Sequence, residues 1–222
     1  MAKTNKTNGK DQLSVEKIET TYKAYLLDHG AAPASVHAFC KLLNVPETDF
    51  YEFFGTLESV EKSIWKNYIK QVRTRLTTDS NYAAFSAREK VLSFYFSLAE
   101  VLRADRSFVL LQLKSWKNPA MAPAFLKGFR ASFEEWAAGV LNEGKISGEI
   151  AKRPYIDERY QHLLWPHLLF ILQFWSKDDS PNFDTTDAAI EKSVNLAFDL
   201  IGKGVLDNAL DFGKFLYQNA RS

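Results

Sequence analysis

Histidine and cysteine are the residues most able to do chemistry at neutral pH, and this chain of 222 residues has few of either. No Ser/His/Asp spacing, nucleophile elbow or Gly-rich phosphate loop accompanies the histidines. No CxxC or clustered His/Cys set suggests a zinc site. We therefore predict that the protein is not an enzyme and uses no metal or cofactor. The histidines lie apart, at His29, His37, His162 and His167.

Two adjacent carboxylates, Asp178 and Asp179, could bind a cation if they faced one another. They follow Lys177 in the segment SKDDSPNFDTT, whose Ser, Asp, Asn and Pro residues are typical of a connection between helices. We interpret them as part of an interhelix turn. The single cysteine, Cys40, excludes an intramolecular disulfide and fits a reducing compartment.

Aromatic side chains are abundant, with 17 Phe, 9 Tyr and 5 Trp. Bulky rings fill a hydrophobic core, and in a helical bundle they can also line a cavity for an apolar ligand. For each ring, core packing is the alternative. His162 and His167 could orient a polar group of a ligand, or they could be hydrogen-bonded structural residues. The candidates for ligand contact are Trp116, Phe125, Phe129, Trp136, Trp165, His167, Phe170 and Phe174.

Charge and hydropathy exclude several classes of protein. The formal net charge of +1 gives no overall attraction to nucleic acid, so any DNA binding must come from a local arrangement. No run approaches 18 apolar residues, and the polar, basic start MAKTNKTNGKDQ lacks the apolar stretch of a signal peptide. We predict a cytoplasmic protein that has no membrane partner.

The apolar residues repeat with a helical period almost throughout, without a convincing alternating strand. Ser14 is a suitable N-cap for the first helix, and Gly30 is its C-terminal stop. Asn44 tolerates the left-handed conformation of a sharp turn, and Pro46 suits the first turn of a helix. The predicted opening helices are 14–29, 35–43 and 46–54, and a longer helix follows over 57–76.

Later helices show equally clear signals. The sequence from Ser86 to Glu89 is a capping box. Phe125, Phe129, Phe133 and Trp136 recur at helical spacings, in a helix that we expect to end near Gly144. The other predicted helices are 105–116, 156–175 with a kink at Pro166, 186–203 with Thr186 as its cap, and a last segment over 205–217.

Helix lengths divide the chain into parts. Residues 1–12 are rich in Lys and Asn and predict a disordered basic arm. The three short helices that follow form a compact unit of the helix-turn-helix type. We predict an all-α fold, with a helix-turn-helix domain over 13–62 and a larger helical domain over 63–222.

A specific pattern of residues runs through 17–62. Its members are Ile18, Thr21, Tyr25, Leu26 and Gly30 in the first helix; Ser35, Val36, Phe39 and Cys40 in the second; Asn44, Val45, Pro46, Phe50, Tyr51, Phe53 and Phe54 in the turn and third helix; and Glu58 and Val60 in the fourth. This segment resembles, without a gap, the DNA-binding domain of TetR-family transcriptional regulators. Many spaced positions agree at once, which is more specific than any lone short motif.

The resemblance implies a homodimer that binds double-stranded operator DNA, as a repressor, through its arm and opening helices. Tyr51 corresponds to a family residue whose hydroxyl commonly touches a DNA phosphate. Basic and hydroxyl side chains of the arm and the first four helices are the other candidates for DNA contact. The predicted DNA-binding residues are Lys10, Lys17, Ser35, Lys41, Thr48, Tyr51 and Lys62.

The resemblance also implies a ligand pocket among the middle helices, where the aromatic candidates fall. A small apolar or aromatic effector bound there would change the spacing of the two DNA-binding heads. The last two long helices, 156–175 and 186–203, would form a four-helix bundle with the same pair of a second subunit. The stripe for that interface is Ile190, Val194, Phe198 and Ile201, with burial inside the subunit as the alternative.

One feature of the opening domain departs from the family, namely its charge. Phosphates line the major groove, so a reading helix is expected to be basic or neutral. Across residues 36–61 the one Lys or Arg, Lys41, stands against five carboxylates: Glu47, Asp49, Glu52, Glu58 and Glu61. This acidity favours an alternative to the leading prediction, a carrier or accessory protein of the same fold that binds a lipid or isoprenoid and no DNA.

Overall fold

The computed structural model describes residues 13–114, 116, 121–153, 160–202, 204 and 212. In these residues the regular structure is helical apart from one isolated β-bridge, so the all-α prediction is confirmed. The predicted arm over 1–12 and nearly all of the predicted last segment over 205–217 lie outside the described residues. The helices are α1 Val15–His29, α2 Val36–Leu43, α3 Glu47–Tyr51, α4 Leu57–Thr78, α5 Ala87–Ala104, α6 Arg106–Lys114, α7 Lys127–Ser147, α8 Tyr160–Lys177 and α9 Asp184–Ile201.

The opening helices begin and end where the sequence predicts. The hydroxyls of Ser14 and Ser35 each accept a hydrogen bond from the backbone N–H three residues ahead, which makes them the N-caps of α1 and α2. Gly30 and Asn44 end these helices in the left-handed conformation, with φ of 70° and 55°. α3 ends at Tyr51, three residues before its predicted end.

α4 joins the opening helices to the rest of the protein. It is 22 residues long, packs against α1 near its start, and packs against α5 and α7 along its length. Buried Val60, Ile64, Tyr68 and Val72 recur every four residues, so one face of the helix stays in the core from end to end. The helix passes the predicted domain boundary at 62/63 without a break.

The larger part is a bundle in which α5 and α7 lie on α4, and α8 and α9 cover them. α5 starts at the predicted capping box, where Ser86 and Glu89 exchange hydrogen bonds between side chain and backbone. α6 is shorter than predicted, and α8 continues through Pro166 to Lys177.

The predicted end of the α7 helix near Gly144 is wrong, because α7 continues to Ser147 and ends at Gly148, with φ of 82°. Gly144 serves the packing instead. A Cβ atom at this position would lie 2.6 Å from Ile150 Cδ1 and 2.8 Å from Ala87 Cβ. The missing side chain therefore allows α7 to approach the start of α5 closely.

The segment after α7 connects three elements. The Glu149 carboxylate accepts hydrogen bonds from the backbone N–H groups of Ala87 and Arg88, so it caps the N-terminus of α5. Buried Arg153 donates to the carbonyl groups of Ile201 and Gly202 at the end of α9. These polar contacts hold the connection against both helices.

The connection between α8 and α9 is organised by Asp178. Its buried carboxylate accepts hydrogen bonds from the backbone and side chain of both Ser180 and Thr186. Asp178 is thus a turn residue, as we interpreted it. The prediction that Thr186 caps the helix is wrong, since α9 starts at Asp184 and Thr186 donates its hydroxyl proton to Asp178.

The apolar stripe of α9 is buried within a single chain. Ile190, Val194 and Phe198 are at most 1% exposed and Ile201 is 9% exposed, because α9 packs this face against α5 and α8. The prediction that these four residues face a second subunit is therefore corrected in favour of the alternative, burial inside the subunit. The side chains that α9 leaves exposed include Leu196 and Leu200.

Candidate functional site

The predicted DNA contacts are on the surface of the opening helices. Ser35, Lys41, Thr48, Tyr51 and Lys62 are exposed. Lys17 is partly buried on α1, and Lys10 lies outside the described residues. The exposed residues are distributed over α2, α3 and the start of α4, together with the residue that caps α2.

A groove of about 480 Å³ separates the connection before α2 from the connection before α4. It brings together Ser35 and Tyr51, two of the predicted DNA contacts, and Thr56, the N-cap of α4. The N-termini of α2 and α4 carry unpaired backbone N–H groups and the positive ends of the helix dipoles. Both favour an anion, whereas the carboxylates of Glu58 and Glu61, which also line the groove, oppose one.

Glu47 links the second and third helices on this surface. One carboxylate oxygen lies 2.7 Å from His37 Nδ1, and the other accepts a hydrogen bond of 3.4 Å from the Tyr51 hydroxyl. Burial, the Glu47 charge and this hydrogen bond raise the pKa of Tyr51, so the phenol stays protonated and able to donate. Glu47, one of the five carboxylates of this segment, therefore helps to position the side chains of His37 and Tyr51.

Glu61, another of the five carboxylates, is directed into the protein. Its Oε1 accepts a hydrogen bond of 2.7 Å from the Tyr22 hydroxyl and one of 3.2 Å from Gln112 Nε2. The carboxylate thus connects α1, α4 and α6. Its sequence position, beside the acidic residues of α3, gave no sign of this role, because the partners lie 39 and 51 residues away.

A second polar contact joins the same helices. Asp105, between α5 and α6, accepts hydrogen bonds of 2.7 Å from Lys23 Nζ and 2.9 Å from the Tyr68 hydroxyl. The next residue, Arg106, contacts the opposite side. Its guanidinium lies 4.5 Å from the ring centroid of Trp175 and donates to the carbonyl group of that residue. The start of α6 thus contacts both the opening helices and the end of α8.

Several predicted ligand contacts belong to an aromatic cluster in the larger part. Phe125, Phe129 and Trp165 are buried, and Trp136 is partly exposed. Trp65 of α4 completes the cluster, stacked on Phe125 at 5.3 Å between centroids. The cluster packs α4 against α7 and α8. These rings therefore contribute to core packing, which was the alternative to ligand contact.

His167 is held between two hydroxyl groups in the interior of the bundle. Tyr95 Oη lies 3.2 Å from its Nδ1, and Ser193 Oγ lies 2.9 Å from its Nε2. Burial lowers the pKa of His167 below its usual range, so the ring is neutral at neutral pH. This is the arrangement of a hydrogen-bonded structural histidine.

Two other predicted ligand contacts, Phe170 and Phe174, do not belong to the aromatic cluster around Trp65. Phe170 and Phe174 lie on the outer face of α8, 49% and 37% exposed, so their assignment to an interior pocket is corrected. Helical spacing places them opposite the buried residues Leu168, Ile171 and Leu172. Trp116 is partly buried beside the core.

The match to a known family falls in the larger helical part, outside residues 17–62, which carry the sequence resemblance. A family model described as the C-terminal domain of tetracyclin repressor-like proteins matches residues 90–216. Opening helices of the helix-turn-helix type on a larger helical bundle define the fold of a transcriptional regulator. The chain belongs to the TetR family, which confirms the resemblance seen in residues 17–62.

Solved structures agree on the fold. A candidate TetR-family transcriptional regulator from Syntrophomonas wolfei aligns with a TM-score of 0.67 and 18% identity, over 86% of this chain and 96% of that one. Mycobacterium smegmatis BioQ aligns with a TM-score of 0.56 and 12% identity, over 86% and 98%. The regulator FadR from Bacillus subtilis, in complex with stearoyl-CoA, aligns at 0.55 and 15%, over 86% and 100%. No curated protein sequence matches significantly.

Among the residues that the structure describes, no helix is both long and apolar enough to cross a membrane. No group of three or more His, Cys, Asp and Glu side chains is arranged to hold a metal ion within the same residues.

Proposed function

We propose that this protein is a homodimeric transcriptional repressor that binds operator DNA with its opening helices and releases it when a small apolar or aromatic ligand binds. The observation that carries the proposal is the groove between the N-termini of α2 and α4, where Ser35 and Tyr51 come together. Both helix ends attract a phosphate, and both side chains can donate a hydrogen bond to it.

The charge distribution on α4 supports backbone binding. Lys62, Lys66 and Lys70 are exposed and spaced by four residues, so they form a basic row on one side of the helix. Cations beside a reading helix hold the phosphates of the flanking backbone, while Thr48 of α3 and Glu52, directly after α3, face the bases. The Glu61 carboxylate also lines the groove, where it accepts hydrogen bonds from Tyr22 and Gln112.

The dimer in this proposal uses the outer face of α8 and α9 and not the buried stripe. Leu163, Phe170 and Phe174 on α8 and Leu196 and Leu200 on α9 are all exposed in the single chain. Apolar side chains on two adjacent helices form a patch of the kind that a second subunit covers. Two such pairs related by a twofold axis give a four-helix interface.

The polar contacts of α6 provide a connection for ligand response. Glu61 and Asp105 tie α1 to α6, and Arg106 ties α6 to the end of α8. A ligand that shifts α6 or α4 would therefore change the angle of α1 relative to the dimer helices. The complex of Bacillus subtilis FadR with stearoyl-CoA supports a ligand-binding role for this fold.

The test is a gel shift of the purified protein against the DNA upstream of its own gene, over a series of salt concentrations. We expect binding that weakens steeply with salt, because phosphate contacts release counterions. Tyr51→Phe should weaken binding about tenfold, since a hydrogen bond to a charged group contributes on the order of 1.5–3 kcal/mol. Tyr25→Phe, on the part of α1 stacked with His29, is the matched control. A protein without any shift at low salt would contradict the proposal.

A second candidate is the carrier or accessory protein that binds a lipid or isoprenoid and no DNA. The acidity of residues 36–61 favours it, because Glu52 and Glu58 are exposed and Glu58 lines the groove. Replacing Glu47 and Glu52 with Lys and Gln separates the two candidates. In a regulator this change raises nonspecific DNA affinity by removing repulsion. A carrier would show no DNA binding before the change and no specific shift after it.

A further inference from the structure

A cleft of about 260 Å³ opens between α4, α5 and α7, beside the single helical turn Tyr82–Ala84. Leu76 and Val140 form apolar walls, and Tyr82 and Trp136 add aromatic ones. The volume corresponds to about nine water molecules at about 30 Å³ each, which is the space of one small ring with a short substituent.

The cleft contains a buried cation. The Lys90 side chain is 8% exposed, and its ammonium group lies 5.4 Å from the ring centroid of Tyr82. Its ion-pair partner is the Glu143 carboxylate, which is 58% exposed. A buried ammonium group is costly without a paired anion. Here the paired carboxylate, that of Glu143, is itself mostly exposed to solvent. Glu143 can therefore move into water at little cost if another anion takes its place.

The aromatic wall is held in place by its own contacts. Trp136 Nε1 donates a hydrogen bond of 3.2 Å to the Tyr82 hydroxyl. The indole also stacks on the buried ring of Phe94, with 4.0 Å between centroids. Its remaining surface lines the cleft. A rigid aromatic wall of this kind favours a flat, unsaturated ligand.

Gly139 is one of the residues that line the cleft. It lies within α7, where glycine is about 1 kcal/mol less favourable than alanine. No atom would come within 4 Å of a Cβ at this position, so packing does not require the glycine. Because Gly139 lines the cleft, we expect a longer side chain at this position to reduce the space for a ligand.

A second cation stands at the rim. Arg73 lines the cleft from α4, and its guanidinium is 3.8 Å from the exposed Glu135 carboxylate. Such a long, exposed ion pair contributes little, so Arg73 is available to an incoming anion. Arg73 and Leu76 lie on α4, the helix that joins the opening helices to the bundle, so a ligand in the cleft would act on that helix.

We propose that this cleft binds a small aromatic carboxylate, with the ring against Trp136 and the carboxylate on the Lys90 ammonium in place of Glu143. The inference rests on the proposed ligand response and names the chemical class of the effector. Lys90 supplies the charge, Arg73 a second contact at the rim, and Gly139 the space.

The experiment is isothermal titration calorimetry of the full chain with phenylacetate, without DNA. Phenylacetamide, which has the same ring but no charge, is the matched ligand. We expect phenylacetate to bind at least tenfold more tightly than the amide. Lys90→Met should reduce phenylacetate affinity at least tenfold, and Gly139→Leu should abolish binding while raising thermal stability. Glu143→Gln should increase the affinity, because it removes the competing carboxylate.

Equal binding of acid and amide, or unchanged binding by Gly139→Leu, would overturn the proposal, as would weaker binding by Glu143→Gln. No detectable binding of phenylacetate at millimolar concentration would also overturn it. The gel shift with wild-type protein reports DNA binding independently. If phenylacetate does not bind but the gel shift is intact, the carboxylate site alone is rejected. If phenylacetate binds but the protein does not shift DNA, the proposed regulator function is rejected.

Discussion

The Tyr22 hydroxyl donates a 2.7 Å hydrogen bond to Glu61 Oε1, which joins α1 of the opening helices to α4. Burial and the Glu61 carboxylate raise the pKa of Tyr22, so the phenol stays protonated over the usual range of pH. Tyr22 is fully buried and also meets Phe39 edge-to-face at 5.7 Å. The hydroxyl therefore has a fixed position, and its single proton is committed to one acceptor.

Tyr22→Phe should lower the free energy of unfolding by about 1–3 kcal/mol, because it removes a donor from a partly buried carboxylate. Chemical denaturation measures this loss. Tyr25→Phe on the same helix is the control and should change stability by less than about 0.5 kcal/mol. Equal stability of Tyr22→Phe and wild type would mean that Gln112 alone satisfies Glu61.

Two of the three glycines of α7, Gly144 and Gly139, should respond in opposite ways to alanine. Gly144→Ala places a Cβ 2.6 Å from Ile150 Cδ1, which we expect to cost about 1–3 kcal/mol of stability. Gly139→Ala meets no atom within 4 Å and should gain up to about 1 kcal/mol from helix propensity. Thermal melting of the pair is the measurement. Similar melting temperatures for the two variants would show that α7 can shift away from α5.

Asp178 should make the free energy of unfolding depend on pH in the acidic range. Burial acts to raise the pKa of Asp178, but hydrogen bonds from Thr185, Thr186 and Ser180 outweigh it and hold the pKa below its usual range. The folded state thus binds the proton more weakly than the unfolded state. Its contribution is complete above the unfolded pKa of about 3.9 and is lost as the pH falls through the lower folded value.

Asp178→Asn removes this acid dependence. The variant should be less stable than wild type at pH 7, and the difference should shrink as the pH is lowered below about 4. Urea denaturation at a series of pH values measures both. Asp179→Asn, one residue along and exposed, is the control. A stability difference that is constant between pH 7 and 3 would contradict the assignment of the shift to Asp178.

Phe170→Glu and Phe198→Glu separate the two possible dimer surfaces. Phe170 is exposed on α8, so Phe170→Glu should leave the fold intact and, if this face joins two subunits, give a monomer. Phe198 is buried under α5, so Phe198→Glu should unfold the protein. Sedimentation and circular dichroism read the two effects. A dimer that survives Phe170→Glu would place the interface elsewhere.

Local signals in the sequence predicted the helices well. Ser14, Ser35 and Ser86 cap helices because each can bond a backbone N–H, and Gly30 and Asn44 stop them because they tolerate positive φ. These effects act over three or four residues and need no tertiary information.

The partner of an apolar face is not encoded locally. The stripe of α9 through Phe198 has the same period whether it faces α5 or a second subunit, so the sequence left both alternatives open. The rings of α8 had the same ambiguity, and Phe170 lies outside while Trp165 lies inside. Gly144 resembled a helix stop because glycine commonly ends helices. Its packing role depends on Ile150 and Ala87, which come close to it only in the folded chain.

The candidate site was predicted in part. Exposure of Lys41, Thr48 and Tyr51 follows from the helix-turn-helix pattern. The inward direction of Glu61 and the contacts of Asp105 depend on residues 37 to 82 positions away, which helical periodicity cannot relate. Arg106 was missed for the same reason, since Trp175 lies 69 residues further along the chain.

The contacts of Asp105 and Arg106 restrict how sequences of this kind can diverge. One peptide unit separates a carboxylate bound to α1 and α4 from a guanidinium bound to the end of α8. Inserting one residue between them would rotate Arg106 by about 100° around the helix axis relative to Asp105. Descendants of this chain should therefore keep the length of the α5–α6 junction unchanged. Insertions and deletions should accumulate in the exposed residues 79–81 instead, where no such double contact constrains the spacing.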